Sequence, residues 1–397
     1  MELARRARGI SPSPTLTIDT RAKEMKAAGA NVINFGVGEP DFDTPEHIKE
    51  VAVSALQAGM TKYTAVSGII ELRRVIAKKL QDENGLSYKP EEIIVSVGAK
   101  HSLYNAFQVL CQEGDEVILP EPYWVSYLEQ IKLCGARPVL VKTTLENGFK
   151  LTPDQLRGAI TPRSRLLVLN SPSNPTGAVY SRRELEGLAD VILTSGIGVI
   201  SDEIYEKLVY DGEEHVSIAS LDPKLKKRTV VINGVSKAYA MTGWRIGYAA
   251  APLRVTKAMT DLQSHSTSNP TSIAQAAAVS ALAGDQEALQ EMLRKFAERR
   301  EYILERLTAI DGVQCSRPGG AFYVFPHVGA FWGKQYRGTE MKSGTDLARL
   351  LLEERQVALI PGIAFGDDDY IRLSYATDLE TIREGLDRIE AVLKELR

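Results

Sequence analysis

Cysteine and histidine are scarce in this chain. Its 397 residues include three cysteines, Cys111, Cys134 and Cys315, and five histidines. The cysteines lie far apart and form no Cys-x-x-Cys pair, and an odd, sparse set argues against a disulfide framework or a structural zinc site. The histidines match no ligand spacing such as His-Glu-x-x-His, so they read as ordinary core or surface residues and no metal site is expected. An excess of one charge is lacking too. The formal net charge is -3, which gives no electrostatic reason to expect nucleic acid or an anionic membrane as a partner. No run of about 18 apolar residues occurs, so no transmembrane helix is expected. The arginine-rich segment at residues 1–10 has no apolar core long enough for a secretory signal, and a cytoplasmic protein is the expectation. Gly-x-x-x-x-Gly-Lys-Ser/Thr, Gly-x-Gly-x-x-Gly and Gly-x-Ser-x-Gly segments are also missing, which argues against nucleotide-binding and serine-hydrolase readings.

What the chain does have is apolar bulk. With 44% hydrophobic residues it can bury a large core, and its length suggests two or more domains. From about Ile93 to Ala251, short β-rich runs alternate with helical patterns. Ile93 to Val97, Glu116 to Leu119, Pro138 to Val141, Arg165 to Leu169, Gly198 to Ser201, Thr229 to Ile232 and Arg245 to Ala249 read as seven strands. Several lack in-out alternation, as strands covered on both faces do. Lys100 to Cys111 and Ser181 to Leu193 have helical spacing, and Ser181 with Glu184 forms a capping box. The alternation predicts an α/β fold with a large, mostly parallel sheet flanked by helices. Gln275 to Leu307 has few breakers and predicts a long helix or a helix pair. Beyond it, Gly320 to Phe325, Val357 to Ile360 and Ile371 to Tyr375 read as strands, and an amphipathic helix closes the chain from about Leu379. The expected division is a large α/β domain over residues 45–300 and a smaller α+β domain made of residues 1–44 and 301–397.

Ligands of open α/β sheets collect at the carboxyl ends of strands. Four polar segments stand there: Ser96-Val97-Gly98-Ala99-Lys100, Asn170 to Gly177, Ser201-Asp202-Glu203-Ile204-Tyr205, and Gly234-Val235-Ser236-Lys237 running on to Thr242-Gly243-Trp244-Arg245. Together with Gly38-Glu39-Pro40-Asp41, Pro122-Tyr123-Trp124-Val125-Ser126-Tyr127 and Ile371-Arg372-Leu373, they resemble the class I and II aminotransferases, fold-type-I pyridoxal-phosphate enzymes, and most of all the bacterial aspartate aminotransferases. The resemblance runs from end to end.

The resemblance implies a cofactor, pyridoxal 5'-phosphate, and a role for each matching residue. Lys237 would hold the cofactor through an imine and later move the proton between substrate and cofactor. Asp202 would face the pyridine nitrogen, Tyr205 and Asn174 the ring oxygen, and Trp124 the ring face. Gly98, Ala99, Lys100, Ser236 and Arg245 would surround the phosphate at a helix N-terminus. Tyr63 would reach the phosphate of a neighbouring subunit, making a homodimer with shared active sites. Arg372, with Gly38, Trp124 and Asn174, would hold the substrate α-carboxylate. Lys100, Ser13 and Thr15 would take the side-chain carboxylate, with the Ser264 to Ile273 loop completing that end. The implied reaction passes the amino group of L-aspartate to 2-oxoglutarate. Prephenate, aromatic or alanine transamination, or carbon–sulfur lysis, are the alternatives. Relatives that use prephenate tend to carry a cation two residues before the loop serine, and this chain has Ser11-Pro12-Ser13.

Overall fold

The computed structural model describes residues 2–397. In chain order the strands are β1 (Ile33–Asn34), β2 (Ile93–Val97), β3 (Glu116–Glu121), β4 (Arg137–Lys142), β5 (Ser164–Asn170), β6 (Gly198–Asp202), β7 (Thr229–Gly234), β8 (Ile246–Ala250) and β9 (Tyr323–Val324). After them come a small hairpin of β10 (Gln335–Tyr336) and β11 (Thr339–Glu340), then β12 (Val357–Ala358), β13 (Ile360–Pro361) and β14 (Ile371–Ser374).

Seven strands build one sheet in the order β2-β8-β7-β6-β5-β3-β4, and β8 alone runs antiparallel to its neighbours. These are the seven runs expected from the sequence. Every residue of β7 and β8 is buried, which is why their sequences show no alternation: both faces meet helices. One face packs Leu103, Phe107, Tyr127 and Met259 against Val168, Ile200 and Ile232. The other packs Leu185, Leu188 and Ile192 against Leu167 and Val199. Each fully buried side chain of this size contributes about 1.5–3 kcal/mol relative to exposure.

Local signals fix the helix ends. Ser181 Oγ accepts from Glu184 N (3.4 Å), and Glu184 Oε2 accepts from Ser181 N (2.8 Å). The helix Arg182–Ser195 then stops at Gly196, whose φ of 77° suits a residue without Cβ. The segment after residue 270 is a helix pair, Ser272–Ala283 and Glu287–Thr308. The first of them ends at Gly284, and Asp285 Oδ1 accepts from Glu287 N at 2.9 Å where the second begins.

Three strand expectations need correction. Arg245 lies outside β8 because its φ is +58°, a left-handed conformation no strand residue adopts. Ala321, at φ +59°, likewise shortens the expected Gly320–Phe325 strand to Tyr323–Val324. The expected Val357–Ile360 strand is split. Val357–Ala358 pairs in parallel with Ile33–Asn34, whereas Ile360–Pro361 pairs with Ile371–Arg372. The first of these pairings ties the N-terminal segment to the C-terminal unit. Among the described residues no helix is long and apolar enough to cross a membrane.

The fold also joins residues that the sequence kept apart. Cys111 and Cys134, read as isolated, interact with each other. His215, read as an ordinary residue, is enclosed with two carboxylates.

Candidate active site

A cavity of about 420 Å³ opens at the carboxyl ends of β5, β6 and β7, where Asn170, Asp202 and the Gly234–Lys237 turn emerge. Of the residues singled out by sequence, Thr15, Gly38, Ala99, Lys100, Trp124, Asn174, Asp202, Tyr205, Ser236, Lys237, Arg245 and Arg372 all stand in its wall. Ser13 is one step behind, its hydroxyl 2.9 Å from that of Thr15. Gly98 lies directly behind Arg245. At φ +83° it starts the Ala99–Leu110 helix, and a Cβ there would collide with the guanidinium. Tyr63 is not in this cavity and is 90% exposed.

Lys237 is partly buried, and its Nζ donates to the Gly38 carbonyl at 2.5 Å. Burial brings its ammonium down to about 8, against the pull of Glu39 and with the help of Arg245, Arg372 and Lys100. Asp202, 3% exposed, ends β6. Its Oδ2 accepts from Tyr127 Oη at 2.6 Å and its Oδ1 from Ile204 N at 3.3 Å. Burial raises this carboxyl to about 6, even though those two donors and Lys237 favour its charged form. Tyr205 Oη lies 2.9 Å from Tyr323 Oη.

Arg372 is 2% exposed. Its Nη2 donates to the Gly36 carbonyl (2.7 Å) and its Nη1 to Asn174 Oδ1 (3.1 Å), while Nε has no partner. Tyr323 and Phe365 flank the guanidinium, with centroids 4.5 and 5.1 Å away. Burial depresses its pKa. Among the described residues no carboxylate pairs with it or with Arg245, which donates to the carbonyls of Thr242 and Val97 at 2.8 and 3.4 Å. Lys100 Nζ sits 4.9 Å from the Trp124 ring centroid, and burial, then Arg245, lowers its pKa. Five cationic side chains line the cavity (Lys23, Lys100, Lys237, Arg245 and Arg372) against three acidic ones (Asp19, Glu39 and Asp202). Such a site favours anions.

Residues 30–389 match the family described as aminotransferase class I and II. The chain belongs to that family. It is 52% identical to an aspartate aminotransferase of Geobacillus stearothermophilus, covering 99% of both chains. It is 49% identical to an aspartate/prephenate aminotransferase of Cereibacter sphaeroides, covering 96% of each. The crystal structure of the aspartate aminotransferase from Rhizobium meliloti superposes with a TM-score of 0.96 at 47% identity, covering 100% of both chains.

In this aminotransferase, sequence reasoning missed Tyr127 as the donor to Asp202. The available signal was spacing: Tyr127 follows Trp124 by three residues at a helix start, so both face the same way. Gly36, as the acceptor for Arg372, was passed over in favour of Gly38. A third group was hidden because it faces away from the cavity. Glu203 accepts from Ser201 Oγ and Ser217 Oγ, both at 2.7 Å, and lies 3.1 Å from His215 Nε2. Glu206, one turn on, is ion-paired with Lys79 and accepts from Asn84 at 2.8 Å. Ligand atoms of Glu203, Glu206 and His215 come within 4.8 Å of one another. Lys79 supplies positive charge to this group.

Burial opposes charge on His215, but the hydrogen bond to Glu203 and the charges of Glu203 and Glu206 raise its pKa on balance. A raised folded pKa contributes stability that is complete below the unfolded value of about 6.5 and is lost as pH rises through the folded value. His215→Gln is therefore expected to cost about 1–3 kcal/mol near pH 6, and less near pH 9. Thermal or denaturant unfolding of both proteins at the two pH values measures this.

Proposed function

We propose that the chain is an aspartate aminotransferase that uses pyridoxal 5'-phosphate in a ping-pong cycle. It converts L-aspartate and 2-oxoglutarate to oxaloacetate and L-glutamate. The observation that carries the reading is Arg372: a buried guanidinium with no carboxylate partner among the described residues, in one cavity with Lys237 and Asp202. A buried, uncompensated cation is costly, and a substrate carboxylate offsets that cost.

The residues fit the cofactor. Asp202 is a buried carboxylate whose pKa is raised by burial, with Tyr127, Ile204 and Lys237 offsetting only part of the shift. Lys237 is an amine with a depressed pKa. The Ala99–Leu110 helix begins at a glycine pressed against Arg245, so its backbone N–H groups and a guanidinium converge on one point. When bound, the cofactor supplies an electron sink for the substrate Cα and carries the amino group between the two substrates. Asp202, steadied by Tyr127, would keep the ring nitrogen protonated. Trp124 would cover the ring, and Tyr205 and Asn174 would donate to its oxygen. Gly98, Ala99 and Lys100 would hold the phosphate through their backbone N–H groups, together with Ser236 and Arg245. Lys237 would take the proton from substrate Cα and return it to the cofactor's adjoining carbon, as an amine near pKa 8 can do in both directions.

Arg372 would hold the α-carboxylate, with Gly38 beside it. Lys100, Thr15 and Ser13 would receive the side-chain carboxylate. We further infer that residues 1–44 and 301–397 close as one unit over residues 45–300. Arg372 and Gly36 lie on one unit, Lys237 and Asp202 on the other, and closure would exclude water. A homodimer would complete each site, Tyr63 being presented to a second copy. Its 90% exposure, with Val53 and Leu56 also exposed on the preceding helix, supports this.

A screen of amino donors against 2-oxoglutarate tests the proposal. Aspartate is expected to give the highest kcat/KM among aspartate, alanine and tyrosine, with oxaloacetate as product. Glutamate with prephenate is run as a separate arm. Release of pyruvate and ammonia from a sulfur-containing donor, without transamination, would replace this reading by a lyase. For specificity, Lys100→Ala should lower kcat/KM for aspartate by about 30- to 150-fold (~2–3 kcal/mol) and change that for alanine far less. Equal losses on both donors would remove Lys100 from the specificity role.

A further inference from the structure

Cys111 and Cys134 occupy equivalent places in two neighbouring helices. Cys111 is the residue that ends the Ala99–Leu110 helix, and Cys134 ends the Val125–Leu133 helix. The opposite ends of these helices begin at Gly98 and Trp124, and Gln130 of the second donates to the Lys100 carbonyl of the first at 3.0 Å. At the far ends, the two turns that carry the cysteines are packed together. The Arg137 amide donates to the Asp115 carbonyl at 2.9 Å, and Gly135 comes so close to the Glu113 backbone that a Cβ would lie 3.5 Å from it. The two thiols interact directly, Cys111 inside an apolar cluster and Cys134 packed against it. Cys111 is buried, whereas Cys134 is partly open to solvent. Cys315 packs in a different cluster.

We propose that Cys111 and Cys134 form a redox modification site, closing a reversible disulfide when the protein meets a low-molecular-weight disulfide. Cys134 is the more accessible partner and reacts first. Its thiolate attacks one sulfur of the small disulfide, forms a mixed disulfide and releases one small thiolate. Cys111 then loses its proton to that thiolate and attacks the Cys134 sulfur. The protein disulfide forms and the second small thiolate departs, taking up from solvent the proton that Cys134 gave up on ionising. Two electrons pass from the protein thiols to the reagent, which leaves as two thiols. The surroundings divide the roles in the same way. Interaction with Cys111, aided by the backbone N–H groups of Ala136 and Cys134 and opposed by burial, lowers the pKa of Cys134. The same interaction, together with burial, pushes Cys111 up. In its neutral form Cys134 donates to the Ile131 carbonyl at 3.1 Å. The site lies apart from the catalytic cavity and does not depend on the proposed activity.

Intact-mass measurement of the cofactor-loaded enzyme, incubated with oxidised glutathione at mildly alkaline pH, tests the proposal. The wild type is expected to lose two hydrogen masses without retaining an adduct, with peptide mapping linking Cys111 to Cys134 and dithiothreitol reversing the change. Cys111→Ser, which lacks the resolving thiol, should keep a glutathione adduct on Cys134. Cys134→Ser should stay unmodified. A lasting adduct on Cys134 in the wild type, or no change of mass at all, overturns the proposal, and both outcomes are read on the unmutated protein.

Discussion

Lys237→Ala is expected to lower the rate of transamination by about 10⁴-fold, the upper range for loss of a positioned acid–base group. It should also abolish the visible absorbance band of a lysine-linked cofactor. Two other lysines, Lys100 and Lys23, line the same cavity, so the band is the decisive readout. Lys100 sits over Trp124, and Lys23 is held at the mouth by Asp19 at 2.7 Å. Only Lys237 is lowered to about 8, by burial and by three neighbouring cations. Its neutral fraction rises as pH rises through about 8, so cofactor capture by the free protein should quicken over the same interval. A band of full intensity in the variant would assign the cofactor to another amine.

Arg372→Leu should lower kcat/KM for aspartate by about 10³-fold (~4 kcal/mol), the cost of truncating one partner of a buried charge pair. The cofactor band should survive, because none of Arg372's hydrogen bonds goes to Lys237 or Asp202. Arg372→Lys should recover only part of the loss. An ammonium is a point charge and lacks the planar fork that grips a carboxylate with two parallel bonds. The absolute position of the guanidinium is set by Gly36 and Asn174 on one edge and by the Tyr323 and Phe365 rings on its faces. If the variant keeps wild-type kcat/KM, Arg372 has no part in substrate binding.

Much of the sheet could be read in advance because its signals are local. β7 and β8 are apolar along their whole length, and Ser181 with Glu184 caps a helix from three residues away. The misreadings arose where backbone conformation or distant pairing overrode local preference. Arg245 and Ala321 belong to residue types common in regular structure, yet both take a positive φ. Val357–Pro361 is a single apolar run whose two halves pair with different partners. Tyr127 was visible as part of a motif, but its partner Asp202 lies 75 residues away. The Glu203–His215 contact and the Cys111–Cys134 pair escaped for the same reason.

The sequence alone determined the α/β class, the seven strands and the polar segments at their carboxyl ends. These depend on side-chain period, caps and turns within a few residues. Only the tertiary structure decided which carbonyl receives Lys237, 199 residues from Gly38, and which receives Arg372, 336 residues from Gly36. It alone decided which ionisable groups lose water and which keep a partner. Desolvation and charge pairing belong to the packed volume around a side chain, and that volume is filled by residues from every part of the chain.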